Sequence, residues 1–212
     1  MYITGIGTVF DKNRKDKPIL KDIRRADDLS KMAVFAAYDA YVDSGLNDDA
    51  KDNIGLILST GFGPHVTTFR FLDEILDYGD GNVSPTLFSH SVHNAANAYI
   101  SSNLGIHGPT LTLTNFSQSF YQGLLVAQSW LDEGRCKNVL VGSVEQYGKE
   151  MEYIISCASS ELTFQQGSAF FLVSAGKELK KYCSISILEY KDEFASGLNL
   201  AASLLKDKTI KW

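Results

Sequence analysis

The segment Gly108–Gly123 (GPTLTLTNFSQSFYQG) constrains the fold of this chain more than any other stretch. Leucines alternate with β-branched threonines over Thr110–Thr114, and this alternation predicts a buried strand. A tight turn is predicted at Asn115–Ser117, and the apolar residues beyond it recur at helical spacing, so a helix is predicted to begin near Gln118. Free backbone N–H groups and the helix dipole favour negative charge at such a helix N-terminus. The pattern therefore places Ser117 where a nucleophile or an oxyanion would be held.

Composition excludes several classes of function. The chain has 212 residues, of which 44% are hydrophobic and 21% charged, which suits one large α/β domain or a small pair. A net charge of −5 argues against a nucleic-acid surface, which would carry a basic excess. Cys136, Cys157 and Cys183 are far apart, so neither a disulfide framework nor a zinc site is predicted. Met1–Gly7 lacks the features of a secretory leader, and no apolar run approaches the ~18 residues of a membrane span, so we expect a cytoplasmic protein without membrane contact.

Predicted strands and helices alternate along most of the chain. Strands are predicted at Tyr2–Val9, Ile54–Ser59, Thr110–Thr114, Asn138–Val144, Ser168–Ser174 and Cys183–Tyr190. Helices are predicted at Leu29–Ser44, Thr67–Tyr78, Val92–Asn103, from Gln118 onward, and at Phe194–Leu205. Polar or irregular connections are predicted at Asp11–Lys17, Val83–His90 and Glu161–Gly167. This order predicts an α/β protein with a mixed sheet.

The series of short motifs resembles the N-terminal half of a β-ketoacyl synthase, a condensing enzyme of the thiolase fold. The motifs are glycine turns, strand ends and the elbow segment, namely Gly5–Gly7, Ser59–Gly63, Val83–Pro85, Asn94–Ala98, Gly105–Pro109, Thr110–Gly123, Gly142–Glu145 and Gln166–Ala169. The resemblance implies an α/β chain that is half of a thiolase-like fold, with a mixed five-stranded sheet covered by helices. It also implies a synthase N-terminal-like domain over residues 1–190, followed by a C-terminal helix and tail over residues 191–212.

Three departures from the family pattern bear on catalysis. Condensing enzymes carry a cysteine at the elbow because a thiolate at a helix N-terminus attacks an acyl thioester readily, whereas this sequence has Ser117 there. The family's catalytic histidines come from a second half of the fold that is not in this sequence. Phe116 replaces the small residue beside the nucleophile and would crowd an acyl pocket. A self-sufficient ketosynthase is therefore not expected.

A second resemblance indicates which branch of the family the chain joins. The segment Phe88–Ala95 (FSHSVHNA) is similar to short synthase-like proteins of aryl-polyene and related polyketide pathways, often chain-length-factor-like partners of a true synthase. The leading prediction is a catalytically silent, chain-length-factor-like subunit that partners an active β-ketoacyl synthase in fatty acid or polyketide biosynthesis. In that role Phe116, Phe69 and Phe88 would line the substrate channel and limit the growing chain by steric contact.

The residues also allow an enzymatic alternative. Ser117 with His90 or His93 could serve an acyl-thioester hydrolase or acyltransferase, since a serine hydroxyl needs an adjacent base. The structural alternatives are that Ser117 caps a helix and that the two histidines anchor a loop to the core. His90 and His93 lack a third metal ligand, and Gly61–Gly63 lacks the lysine or third glycine of a nucleotide loop, so neither a metal nor a cofactor is predicted. Glu145 could support a site, although a strand-end carboxylate that accepts a backbone donor is commoner.

Two surfaces are candidates for partners. In the family the strand before the elbow, here Thr110–Thr114, pairs across a two-fold axis, so a heterodimer with a ketosynthase or a homodimer is expected there. The helix after the elbow is apolar on more than one face, which also indicates burial against the tail at Phe194–Trp212 or a partner. A weaker hypothesis is an acyl carrier protein bound by Arg24, Arg25 and Lys31.

Overall fold

The computed structural model describes residues 1–10, 23–47, 52–157, 165–176, 182–187, 191–192 and 195–205. Its strands are β1 (Tyr2–Val9), β2 (Ile54–Thr60), β3 (Thr110–Thr114), β4 (Asn138–Glu145) and β5 (Gly167–Ser174). Its helices are α1 (Asp28–Ser44), α2 (His65–Tyr78), α3 (Pro85–His90), α4 (Ala95–Leu104), α5 (Ser119–Asp132), α6 (Lys149–Cys157) and α7 (Gly197–Leu205). None of the described helices combines the length and apolar character that a membrane span requires.

The strands form one sheet in the order β1-β5-β4-β2-β3. The strands β3 and β4 flank β2 and run parallel to it, whereas β5 pairs antiparallel with both β4 and β1. The predicted mixed five-stranded sheet is therefore confirmed. Because β3 is the last strand on its side, one edge of its backbone has no neighbouring strand among the described residues.

Helices cover both faces of the sheet, as the continuous apolar runs of β2, β4 and β5 predict. Neighbouring residues of a strand point to opposite faces, and Phe170 and Phe171 of β5 accordingly belong to two separate core clusters. One cluster contains Phe35 of α1 and Ile100 of α4. The other contains Phe120 of α5 and residues of α7. The sheet therefore holds α5 and α7 on one face, and their first turns lie near the ends of the central strands.

Close helix packing against β1 depends on two glycines. A Cβ atom at Gly5 would overlap the carbonyl oxygen of Ala40, and one at Gly7 would overlap that of Ala36. The helix α1 therefore lies directly on the backbone of β1. Its ends agree with the predicted bounds, since Asp27 caps the first turn and Gly45 adopts the left-handed conformation after the last.

Two helical segments differ from the sequence predictions. The region Val83–His90, predicted to be irregular, contains α3, whose Ser84 Oγ accepts the Leu87 N–H at 3.3 Å. Pro85 occupies the first turn, where its missing N–H is no loss. The helix α6 was not predicted from the sequence. It spans only nine residues, and of its described apolar side chains only Met151 is buried.

The predicted strand at Cys183–Tyr190 is wrong for the part that the structure describes. Ser184 forms only an isolated bridge with Tyr2, and the carbonyl of Cys183 accepts the Ile3 N–H at 2.9 Å. The segment adds a short contact to the edge of β1 rather than a sixth strand. The prediction for residues 188–190 lies outside the described residues, as do those for Asp11–Lys17, for residues 161–164 and for Phe194.

Candidate functional site

The elbow lies where β3 passes into α5. The backbone N–H of Asn115 donates to the carbonyl of Thr60 at 3.3 Å, and the Asn115 side chain accepts the N–H of Ser117 at 3.3 Å. The helix α5 then begins at Ser119, with Gln118 as its N-cap residue. The bounds of the strand, the turn and the start of the helix near Gln118 are as the sequence predicts. The prediction that the strand is buried is wrong for this chain, because β3 lies at the edge of the sheet and all five of its residues are partly or fully exposed.

The strained residue of this turn is Gln118. Its φ angle is 61° and its ψ angle is 16°, and it is the only non-glycine residue with positive φ in the part of the chain that the structure describes. Side chains other than glycine, asparagine and aspartate rarely adopt this left-handed conformation, because Cβ approaches the following backbone. The bend that the sequence pattern assigned to Ser117 is thus centred one residue later.

A cleft of about 460 Å³ opens beside the elbow. It lies where β2, β3 and β4 end and where α5 and α7 begin. Its lining consists of polar side chains, backbone turns and a few apolar groups, contributed by Gly61, Phe62, Asn115, Phe116, Gln118, Ser119, Ser143, Glu145, Gln165, Gly167, Ala195, Ser196, Leu198 and Asn199. The cleft therefore offers many amides and hydroxyls, while this described lining includes no lysine, arginine or histidine.

Ser117 does not line this cleft. The residue is exposed, and its hydroxyl has no hydrogen-bond partner among the described residues. The expectation that Ser117 caps α5 is wrong, because the cap position belongs to Gln118 and the helix has no side-chain cap. The turn around Asn115 thus leaves Ser117 facing solvent.

Glu145 supplies the carboxyl group of the cleft. Its Oε1 accepts the N–H of Gly61, and its Oε2 lies 3.3 Å from the Thr60 hydroxyl and 3.4 Å from the Phe62 N–H. Burial raises the pKa of Glu145 to about 7, although the backbone N–H groups and the hydroxyl stabilise the carboxylate and partly offset this effect. Glu145 therefore changes charge near neutral pH while it holds the glycine turn to the end of β4.

The two histidines named by the sequence analysis lie apart from the cleft lining. His90 is buried, and its Nε2 lies 2.7 Å from the Tyr99 hydroxyl, which joins α3 to α4. It lines a second cavity of about 210 Å³, together with Arg25 and Lys31. His93 is exposed, and its ring packs over Gly63, where any side chain would overlap it.

Only one of the three proposed channel aromatics reaches the cleft. The Phe116 side chain is 81% exposed, and its ring centre lies 5.2 Å from that of Phe62 at the rim. Phe69 lies on α2, and Phe88 lies on α3 with its ring 5.6 Å from Phe71. Within this single chain, Phe69 and Phe88 therefore lie outside the described lining of the cleft.

Gln118 and Ser119 both line the cleft, and neither was predicted from the sequence as a site residue. A left-handed turn residue is usually signalled by glycine or asparagine, and glutamine carries no such signal. The only available clue to Ser119 was its place in the first turn of a helix whose N-terminus was already expected to attract a ligand.

Comparisons with curated proteins agree with this fold. The chain is 30% identical over 105 residues to 3-oxoacyl-(acyl-carrier-protein) synthase 2 of Staphylococcus aureus (strain N315), an alignment that covers 49% of this chain and 25% of the relative. It is 22% identical over 130 residues to the chloroplastic 3-oxoacyl-(acyl-carrier-protein) synthase I of Arabidopsis thaliana, covering 59% of this chain and 28% of that protein. The chain thus matches about a quarter of the length of these relatives.

Solved structures share the fold at low sequence identity. The ishigamide ketosynthase/chain length factor superposes with a TM-score of 0.69 at 17% identity, covering 85% of this chain and 63% of that one. A ketosynthase in complex with its chain length factor from Xenorhabdus doucetiae gives a TM-score of 0.64 at 17% identity, covering 82% and 78%. These neighbours are thiolase-like ketosynthases, so the chain forms part of that fold. The family described as "Beta-ketoacyl synthase, N-terminal domain" matches residues 17–203, and the chain therefore belongs to the β-ketoacyl synthase family.

Proposed function

We propose that this chain is a catalytically silent, chain-length-factor-like subunit that partners an active β-ketoacyl synthase in fatty acid or polyketide biosynthesis of the aryl-polyene type. The observation that carries the proposal is the environment of Ser117. It takes the place of the family's cysteine, it lies outside the cleft, and none of the described residues accepts or donates a hydrogen bond at its hydroxyl.

The chemistry of the neighbouring groups supports catalytic silence. A serine hydroxyl attacks a thioester only when a base removes its proton. His90 is engaged with Tyr99, and His93 packs on Gly63. Glu145 already accepts hydrogen bonds from three donors of the glycine turn. These contacts favour a structural role for each candidate base.

Relatives in known assemblies support a partner of this kind. The neighbours include the ishigamide ketosynthase/chain length factor and the ketosynthase of Xenorhabdus doucetiae in complex with its chain length factor. Another is a type II polyketide ketosynthase with its acyl carrier protein. We infer the same class of partner for this chain, with an acyl carrier protein as a further one, and we retain residues 1–190 as its synthase-like domain.

The exposed edge of β3 is the surface we propose for that partner. The strand pairs with β2 on one side only, and Thr110 and Thr114 are exposed at its two ends. Asn97 of α4 supports the strand, since its Nδ2 donates to the Leu111 carbonyl at 2.9 Å and to the Thr112 hydroxyl at 2.8 Å. An open strand edge readily pairs with a strand of another chain.

Exposed apolar side chains give the partner more surface. Large hydrophobic residues are at least two-fifths exposed on α2, on α3 and in the turn after α3, namely Phe69, Leu72, Leu76, Tyr78, Phe88 and Val92. Leu125 of α5 is also exposed. Apolar patches of this kind on a folded domain usually mark a contact surface. In a complex, Phe69 and Phe88 could then join Phe116 along an acyl channel.

The experiment is co-expression of tagged chain with a candidate ketosynthase, followed by co-purification and analysis of product length. We expect Thr110→Lys on the β3 edge to reduce recovery of the synthase, while the matched Thr8→Lys on the opposite edge strand β1 leaves it unchanged. Phe116→Ala and Phe69→Ala should lengthen the product. The proposal fails if no synthase associates and product length does not respond to either aromatic substitution.

The second candidate function is an acyl-thioester hydrolase or acyltransferase that uses Ser117. The observation in its favour is that the Ser117 hydroxyl is exposed to solvent just before the N-terminus of α5. Incubation with an acyl carrier thioester should then add one acyl mass to the chain, and Ser117→Ala should abolish the adduct. An absent adduct together with synthase-dependent product formation favours the silent subunit.

A further inference from the structure

A second cavity, of about 210 Å³, lies away from the elbow cleft. Its lining comes from the start of α1, from α2 and α3, and from the residue that follows β4. None of these residues belongs to the described lining of the cleft. The cavity is smaller than the roughly 300 Å³ at which pockets for drug-sized ligands begin. It therefore suits a small molecule.

Two arginines line this cavity without a partner. Arg25 precedes α1 and Arg70 lies on α2, and neither forms an ion pair or a hydrogen bond with another described residue. Both residues are exposed, so they lie at the opening of the cavity. A guanidinium group binds carboxylate oxygens through paired N–H donors. The opening is therefore suited to an anionic group.

The two carboxylates of the described lining are already engaged. Asp27 accepts the N–H of Ser30 at 2.9 Å through Oδ1 and the hydroxyl of Thr67 at 3.0 Å through Oδ2. Asp28 lies 3.4 Å from the Nζ of Lys31. These contacts cap α1 and connect it to α2. They leave the two arginines available to a ligand.

Gln146 gives the cavity a buried acceptor. The residue follows β4, is only 8% exposed and belongs to the lining. Its Oε1 is buried and has no hydrogen-bond partner in the part of the chain that the structure describes. A buried carbonyl oxygen without a donor is unfavourable, so a ligand that supplies an O–H group is stabilised at this position.

The remaining features of the lining narrow the class of ligand. Three basic and two acidic side chains line the cavity, so its formal charge is +1 when His90 is neutral. A single negative charge balances this lining better than two charges do. Val66 and Leu87 add apolar surface. The ligand that fits these features has one carboxylate, one hydroxyl group and a small apolar group.

We propose that this cavity binds a small hydroxycarboxylate. Its carboxylate would accept hydrogen bonds from Arg25 and Arg70, its hydroxyl would donate to the Oε1 of Gln146, and its apolar group would contact Val66 and Leu87. No bond is made or broken. The inference does not rest on the proposed function, because the described linings of the cavity and the cleft have no residue in common.

Arg24 separates a ligand inside the cavity from a partner drawn to a basic surface. It is exposed and adjacent to Arg25, yet it is outside the described lining of the cavity. An acidic protein attracted to the start of α1 would respond to the charge of either arginine. A ligand inside the cavity would respond to Arg25 and not to Arg24. The Arg24→Gln variant is therefore the matched control.

The test is calorimetric titration of the full chain with mandelate, which carries all three features. Phenylacetate lacks the hydroxyl group and mandelamide lacks the charge, so both should bind more weakly. Arg25→Gln and Arg70→Gln should each weaken mandelate binding by about tenfold, as for the loss of one charge-assisted hydrogen bond. Arg24→Gln should bind mandelate as the parent does.

A further variant tests the buried acceptor. Gln146→Leu should remove the preference for mandelate over phenylacetate, and its retained binding of phenylacetate would show that the cavity is still folded. The inference is overturned if mandelate gives no saturable heat or binds no more tightly than phenylacetate or mandelamide. It is also overturned if Arg24→Gln weakens binding as much as Arg25→Gln does, if neither Arg25→Gln nor Arg70→Gln weakens it, or if Gln146→Leu keeps the preference or loses both acids equally.

Discussion

The carboxylate of Glu145 at the end of β4 accepts the backbone N–H of Gly61 at the end of the neighbouring strand β2. Thr60 extends this contact, because its hydroxyl donates to Glu145 at 3.3 Å and accepts the N–H of Gly63 at 2.9 Å. One side chain thus fixes the turn that precedes α2, and this turn carries Phe62 to the rim of the cleft. Glu145 therefore holds one wall of the cleft in place.

Stability should fall as pH rises through the titration of Glu145. Its folded pKa of about 7 lies above the ordinary value of 4.5, so the folded state binds the proton more tightly. Glu145 should therefore favour folding most below pH 4.5, and that contribution should be lost between pH 4.5 and about 7. The full change is on the order of 3 kcal/mol.

Urea unfolding of the parent and of Glu145→Gln at a series of pH values isolates this effect. The difference between the two free energies of unfolding should change across the window, since glutamine does not titrate. Other titrating groups contribute to both proteins and cancel. A difference that stays constant from pH 4.5 to 7 would contradict the raised pKa.

Tyr182 should contribute to stability by tying the segment after β5 to α1. Its hydroxyl donates to Asp43 at 2.6 Å, and the same Asp43 oxygen accepts the Ile6 N–H at 3.0 Å. Burial and the neighbouring carboxylate raise the pKa of Tyr182, so the hydroxyl remains a donor at neutral pH. Tyr182→Phe should lower the free energy of unfolding by about 1–2 kcal/mol.

The control for this prediction is Tyr153→Phe. Tyr153 lies on the surface of α6 and is 71% exposed, so removal of its hydroxyl should change stability by less than about 0.5 kcal/mol. Both variants are compared by urea unfolding at one pH. Equal midpoints for the two variants would show that the contact with Asp43 contributes nothing measurable.

Much of the sheet could be predicted because its strands are long, apolar and separated by helical patterns. The strands β2, β4 and β5 are buried along nearly their whole length, and tertiary contacts therefore agree with the local pattern. The segment Cys183–Tyr190 alternates as a strand should, yet only Ser184 forms a bridge, since alternation does not specify a neighbour. The helix α6 was missed for a different reason, because a helix of nine residues gives too short a pattern to detect.

The site was harder to predict than the fold. The segment Thr110–Gly123 correctly indicated an elbow, because a strand and a helix joined by a short turn leave few geometries. The backbone conformation of Gln118, with its positive φ angle, decides which of these side chains faces the cleft. Glutamine has no preference for positive φ, so the sequence does not predict this conformation. The position of His90 depends on α3, which the sequence analysis read as irregular.

Gly197 should be essential for docking α7 beside the cleft. Its N–H donates to the Ser143 hydroxyl at 2.9 Å, and a Cβ atom at this position would lie 2.7 Å from that oxygen and 3.0 Å from the Ala169 carbonyl. Gly197→Ala should therefore displace the helix and lower the free energy of unfolding by about 1–3 kcal/mol. Gly81→Ala is the control, because a Cβ atom there meets no other atom within 4 Å. If both alanine variants unfold at the same urea concentration, the helix tolerates the extra methyl group.

Phe116 should matter for association and little for folding. Its ring is 81% exposed and contacts Phe62 at the rim, next to the end of the open strand β3. Removal of an exposed aromatic ring changes the stability of a monomer by about 0.5 kcal/mol or less, whereas a ring at the centre of an interface often contributes more than 1 kcal/mol to binding. The Phe116→Ser variant should therefore unfold at the same urea concentration as the parent, but less synthase should co-purify with it.

The control is Tyr153→Ser, which removes an exposed aromatic side chain from α6 and should leave the amount of co-purified synthase unchanged. If Phe116→Ser unfolds early, the ring supports the fold of the rim, and if recovery is equal for both variants, the partner does not cover this end of β3.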